Sequence, residues 1–184
     1  TNGWIPNSDI ANALTPVQPA TQRAIFAYGD DNSSNISLKN LVNSSGVVAA
    51  DVAGVGTARQ SLAAHSYGGD KVIFGFGDNS GGVSMTNLAN NAGVIAADVT
   101  GVGTARRQLA AAGYGGDKAI FAFGYTSGNI SLSNLVNNAG TVAADVTGVG
   151  TARRQLAAAA YGGDKAIFGF GTTGSVTNVS NKVS

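Results

Sequence analysis

The sequence predicts an all-β protein, a four-bladed β-propeller. Three observations carry that expectation. One phrase recurs four times: TQRAIFAYG from Thr21, GDKVIFGFG from Gly69, GDKAIFAFG from Gly116 and GDKAIFGFG from Gly163. Its basic residue falls at Arg23, Lys71, Lys118 and Lys165, in steps of 48, 47 and 47 residues. Each period divides into four short segments with alternating apolar character, set apart by Gly, Asn and Ser clusters, and four strands in a period of ~40–50 residues is the pattern of a propeller blade.

The elements follow in chain order within a period. The first is QLAAAAYGG (Gln155 to Gly163). Read alone, Thr151-ARRQLAAAA predicts a helix, with an N-capping Thr, strong helix formers and a glycine stop. The four-segment period favours a strand, and propensity is the weaker guide. The second is KAIFGFG, where period two puts Phe121 and Phe123 on one strand face and Ile120 on the other. The third resembles NISLSNLVN (Asn129 to Asn137), with Ile130 and Leu132 alternating with serines. The fourth resembles TVAADVTG (Thr141 to Gly148).

The ends fit one domain over 1–184, with blades at about 9–54, 57–101, 104–148 and 151–184. ALTPVQPATQ fills the first-strand slot of blade one. VTNVSNKVS (Val176 to Ser184) fills the third-strand slot of blade four, leaving that blade without a fourth strand. Residues 1–8, around Gly3-Trp4-Ile5-Pro6, are expected to supply it, closing the ring and removing an open edge. The competing arrangement gives that strand to a neighbouring subunit, as a homo-oligomer or filament.

Composition narrows function. The formal net charge is +1, with 11% charged residues, which gives no electrostatic reason to expect nucleic acid. No apolar run approaches the ~20 residues of a membrane span. There is no Cys, so thiolate chemistry and disulfides are excluded. The single His65 stands where other copies have Ala112 and Ala159, so no repeated catalytic role attaches to it, and a Ser-His-Asp triad or a His pair for metal would have to depend on it. The expectation is a protein that is not an enzyme and needs no cofactor or metal.

The charges that repeat are Asp51, Asp98 and Asp145; Arg59, Arg106 and Arg153; Asp70, Asp117 and Asp164; and the phrase lysines. Repetition predicts structural work: carboxylates accepting turn N–H groups or holding an Arg. A ring of Asp around the axis binding a cation is the minor alternative. Function is expected where the copies differ, in the loop after the second strand. That loop is DDNSSN, DNSGG, YTSGN and TTGS in turn. Asp30, Asp31, Asn32, Asp78, Asn79, Tyr125 and Asn129 are therefore the candidate ligand-binding residues, polar groups for sugar hydroxyls and a ring for stacking. Asp30, Asp31 and Asp78 could alternatively hold calcium.

The blade order resembles kelch-type repeats: an Arg, a small-residue strand, a turn, then an aliphatic-aromatic strand ending at Gly. It departs from them in lacking a double Gly after the second strand and an outer-strand Trp. The phrases GDKAIFGFG, TNVSN and GVVAADVTGVGTARRQLAAAGYGGDKAIF, taken together from about Leu14 onward, resemble tandem repeats of aquatic bacteriophage virion proteins, tail-fibre or appendage proteins among them. The resemblance implies a virion or extracellular location. It also implies a structural or adhesive role beside other virion or surface proteins, with host surface glycans as contacts. A lectin-like propeller is the alternative. A glycan hydrolase is disfavoured, because it needs two carboxylates held about 5–10 Å apart and the rim offers only adjacent Asp30 and Asp31, with Asp78 a blade away.

Overall fold

A computed structural model describes residues 24–184. The first-strand slot of the first repeat and the N-terminal closing strand both lie outside the described residues. The described chain is all-β, in four small antiparallel sheets. The first sheet pairs β1 (Ala24–Asp30) with β2 (Asn35–Val42). The second orders β3 (Ala63–Tyr67), β4 (Lys71–Gly75) and β5 (Thr86–Ala89). The third orders β6 (Ala110–Tyr114), β7 (Lys118–Tyr125) and β8 (Asn129–Val136). The fourth orders β9 (Ala157–Tyr161), β10 (Lys165–Gly169) and β11 (Ser180–Val183).

The ambiguous alanine segment is strand in every described copy. The helical run cannot form because Gln155 takes a left-handed φ of 52°, as do its counterparts Gln108 (56°) and Ser61 (53°). That turn aims the N–H of Gln155 at the carbonyl of Gln108, and the N–H of Gln108 at the carbonyl of Ser61. The third sheet is thereby tied to the second, and the fourth to the third, through the backbone, and this tertiary bond overrides the helix propensity of alanine.

The fourth segment pairs with the third, but through two isolated bridges: Thr86 with Val99 and Ala89 with Ile95 in the second repeat, and Ser133 with Val146 and Val136 with Val142 in the third. Between the bridges a side chain replaces the ladder. Asn87 Nδ2 donates to the Ala96 carbonyl (3.1 Å) and to Asp98 (2.9 Å), and Asn134 does the same with Ala143 and Asp145.

The expected sharing of one face by Phe121 and Phe123 is corrected. Phe121 packs edge-on against Phe76 of the preceding repeat, with ring centroids 5.2 Å apart, whereas Phe123 packs against Phe168 of the following one at 5.7 Å. The cause is backbone conformation. Phe123 has φ 64°, and the ladder between β7 and β8 shifts register between Ala122 and Gly124. The extra residue of the bulge lies on β8, opposite Phe123, and the left-handed backbone of Phe123 turns its ring to the other side. Tyr28, Phe76 and Phe170 take the same left-handed conformation. So the two middle repeats each pack one aromatic backward and one forward, and each of the three core clusters contains such a pair: Tyr28 with Phe74, Phe76 with Phe121, and Phe123 with Phe168.

β3 packs on β6, and β6 on β9, so the small-residue strands lie side by side through the stack. Among the described residues, no strand pairing, hydrogen bond or aromatic contact joins the first repeat to the fourth.

Candidate functional site

The rim begins from the antiparallel register. The end of each second strand lies beside the entry to its first strand, through bridges Gln60 to Asp78, Arg107 to Tyr125 and Arg154 to Thr172. The seven candidate residues fall on this rim in three groups.

In the first repeat, Asp31 accepts bonds from the Ser33 hydroxyl (2.7 Å), the Ser33 N–H (3.0 Å) and the Ser34 N–H (2.8 Å). The Ser33 hydroxyl first, then the Ser34 and Ser33 amides, hold its carboxyl below the ordinary range. Asp30 accepts from the N–H of Asn32, which sits at φ 70° with its side chain exposed. These carboxylates shape the turn.

In the second and third repeats, Asp78 accepts from Gly81 N–H (2.8 Å) and forms an ion pair with Arg107 of the next repeat (2.6 Å). Tyr125 lies near two guanidinium groups, Arg107 at 5.4 Å and Arg154 at 4.4 Å from its ring centroid. A sugar stacking on the ring face nearer Arg154 would have to displace that group. Asn79 is exposed, with its N–H bonded to Gly81 O.

Asn129 works across repeats. Its amide donates to the Thr172 carbonyl (3.3 Å), and Asn35 donates likewise to the Asp78 carbonyl (3.2 Å). The structure thus brings Asp78 and Tyr125 together through Arg107, and leaves Asp30, Asp31 and Asn32 as a separate turn. Sequence reasoning missed Arg107 and Arg154. Their signal was present: the residue after the repeated Arg changes from Gln60 to Arg107 and Arg154, and variation between copies is where function was sought. Among the described residues, no three carboxylate or imidazole groups stand close enough together to hold a metal ion.

The repeated charges build the joints. Arg59, Arg106 and Arg153 are fully buried. Each guanidinium lies over an aromatic ring of the preceding repeat: Arg59 on Tyr28 at 4.2 Å, Arg106 on Phe76 at 4.1 Å and Arg153 on Phe123 at 4.0 Å. Each Nε donates to the carbonyl of its own repeat's left-handed aromatic (Phe76, Phe123, Phe170) at 2.9 Å. Each Nη1 donates to the Thr carbonyl two residues back. Burial drives the Arg106 guanidinium down to about 10, against the opposing pull of Asp145, 3.9 Å away.

The repeated Asp ties the fourth segment to the start of its own repeat. Asp145 accepts from Thr104 Oγ1 (2.6 Å) and N–H (2.9 Å), and Asp98 does so from Thr57. A Cβ on Gly103 would meet Asp145 at 2.4 Å, and its φ is +83°, so the second glycine of GVG is required by this contact. Burial works to raise the Asp145 carboxyl, but bonds from Thr104 and Asn134 and the charge of Arg106 outweigh it, and the net shift is below 3.8. A depressed carboxyl contributes stability above its unfolded value and loses it as pH falls through the folded one. Asp145→Asn is therefore expected to be less stable at neutral pH by about 1 kcal/mol. It should also lose less stability than the parent below about pH 4, as measured by urea unfolding at stepped pH.

At the opposite strand ends a cavity of about 210 Å³ is lined by His65, Tyr67, Tyr114, Asp117 and Lys118, with glycines of three repeats. His65 has a partner that sequence reasoning did not give it. A Cβ on Gly113 would meet the His65 ring at 2.7 Å, and Gly113 replaces Ser66 and Ala160 of the other copies just where His65 replaces Ala. Gly113→Ala is expected to cost no more than about 1 kcal/mol, because the His65 ring it meets is half-exposed and can turn away. The double variant with His65→Ala should recover most of that loss in the same urea titration.

No protein-family model matches the chain, and no curated protein matches it in sequence.

Proposed function

We propose that the chain is a non-enzymatic structural and adhesive module of a virion appendage or another extracellular surface, its sheets serving as blades of a four-bladed propeller. One observation carries this reading. The three buried Arg, and the Asp98 and Asp145 carboxylates, are engaged in holding repeats and segments together. What varies from copy to copy is a row of short polar turns on one rim. That is the division of labour of a scaffold with an adaptable edge. Side-by-side packing of the small-residue strands supports the blade reading.

A carbohydrate-binding propeller is the second reading. The exposed Asn32 and Asn79 side chains favour it, and several weak rim sites on one rigid body would give avidity. A glycan array probed with the full chain separates the outcomes. Binding that falls on replacing Asn32 and Asn79 with Ala supports adhesion through the rim, and no signal at millimolar-range sensitivity removes glycans as the contact. Turnover of a polysaccharide that Asp31→Asn abolishes would overturn the non-enzymatic reading.

A further inference from the structure

The three joints between successive repeats share one pattern. A forward aromatic (Tyr28, Phe76, Phe123) meets a backward one (Phe74, Phe121, Phe168), with centroids 5.2–5.7 Å apart. Beside it the N–H of Gly29, Gly77 or Gly124 donates to the carbonyl of Arg59, Arg106 or Arg153 in the next repeat. A third tie runs from the N–H of Gly68 to Asp117 O, and from Gly115 to Asp164 O.

The outer repeats carry the same groups unfilled. Phe170, the forward aromatic of the fourth repeat, is 65% exposed, and Phe26, the backward aromatic of the first, is 62% exposed; their counterparts Phe76 and Phe121 are at 0%. Tyr161 is exposed where Tyr67 is buried, and Val48 is exposed where Ile95 is buried. Stacks of repeats ordinarily end in units whose outer face is polar. Both of these faces keep the apolar residues of an internal joint.

We infer that the two faces are the halves of one further joint, and that a second copy of this chain fills it, head to tail. The fourth repeat presents Phe170 and Tyr161, and the first repeat presents Phe26 and Val48. Each is what the other's counterpart already packs against inside the chain. The partner is a second copy because the first and fourth repeats make no such contact within one chain among the described residues. The contact is heterologous: it uses different patches on the two copies. The inference leaves the structural and adhesive role as proposed, but in place of closure within one chain it makes the joint between the fourth and first repeats a contact between copies.

The chain lacks Cys, which makes a crosslinking test clean. Phe26→Cys and Phe170→Cys variants are mixed in equal amounts and treated with a short bis-maleimide, and light scattering is run in parallel on the parent chain across a dilution series. The expected result is a 26-to-170 crosslinked pair of chains, absent from either variant alone, and a parent mass above one chain that falls on dilution. Phe26→Glu and Phe170→Glu should each be monomeric, yet form a two-chain complex when mixed, because each keeps one intact face. That complementation also shows that both are folded. A parent of one-chain mass at every concentration overturns the inference. So does a double-Cys variant crosslinked only within one chain, which would mean that the ring closes on itself.

Discussion

Arg106→Ala is expected to destabilise the chain by about 4 kcal/mol, a fall of roughly 8–16 °C in melting temperature for a chain of this size. Burying the guanidinium is costly, as its depressed pKa shows, so its removal relieves a desolvation penalty. Against that, the buried Phe123 carbonyl loses its donor, and the Thr104 carbonyl, nearer the surface, loses one too. Phe76 loses the cation over its ring, and the space of a fully buried side chain is left empty. An unpaired buried acceptor costs about 1–3 kcal/mol, and that loss together with the cavity and the lost ring contact exceeds what release of the charge returns. Arg106→Lys should recover little. A point charge on a flexible stem cannot reach both carbonyls while lying flat on the ring. Thermal unfolding of the three proteins checks the order parent, then Lys, then Ala.

Phe121→Ala is expected to cost about 4 kcal/mol, within the range for deleting a buried Phe. Phe121 is fully buried, meets Phe76 edge-on, and belongs to the core cluster with Ile73, Leu109 and Val136. Phe121→Leu keeps much of the apolar volume and should cost roughly 1.5 kcal/mol. The joint between the second and third repeats is what fails, so hydrogen exchange should accelerate first at the N–H groups that cross it, Gly77 and Gln108. Loss confined to the third sheet's own ladder would show that the pair stabilises the sheet and not the joint.

Much of the architecture was legible in the sequence because it repeats. The period of 47 residues, the all-β class and the four segments per repeat follow from apolar alternation and glycine spacing, although only the first three segments form a sheet and the fourth is joined by isolated bridges. The structural use of the repeated Asp was legible too, since a carboxylate near GVG has turn N–H groups to accept. What could not be read comes from contacts between repeats. Period two places Phe121 and Phe123 together, and only the left-handed backbone at Phe123, a conformation bulky side chains rarely take, separates them. For the alanine segment the period reads strand correctly against helix propensity, and what it does not show is the reason, the left-handed φ of Gln155. The Arg of TAR is buried against a ring some 30 residues earlier in sequence, and no local pattern announces that. At the rim, single residues were identified, but the link from Asp78 through Arg107 to Tyr125 depends on how successive repeats are offset.

The measurement that tests the central claim most directly is a double-mutant cycle between Arg106 and Phe76, with Arg106→Met and Phe76→Leu, by urea unfolding. If the repeats are joined by buried Arg on the preceding aromatic, the two changes are coupled by about 1–2 kcal/mol, as for a desolvated cation over a ring. Additive effects, with coupling indistinguishable from zero, would contradict the account, because Arg106 would then serve only its own repeat.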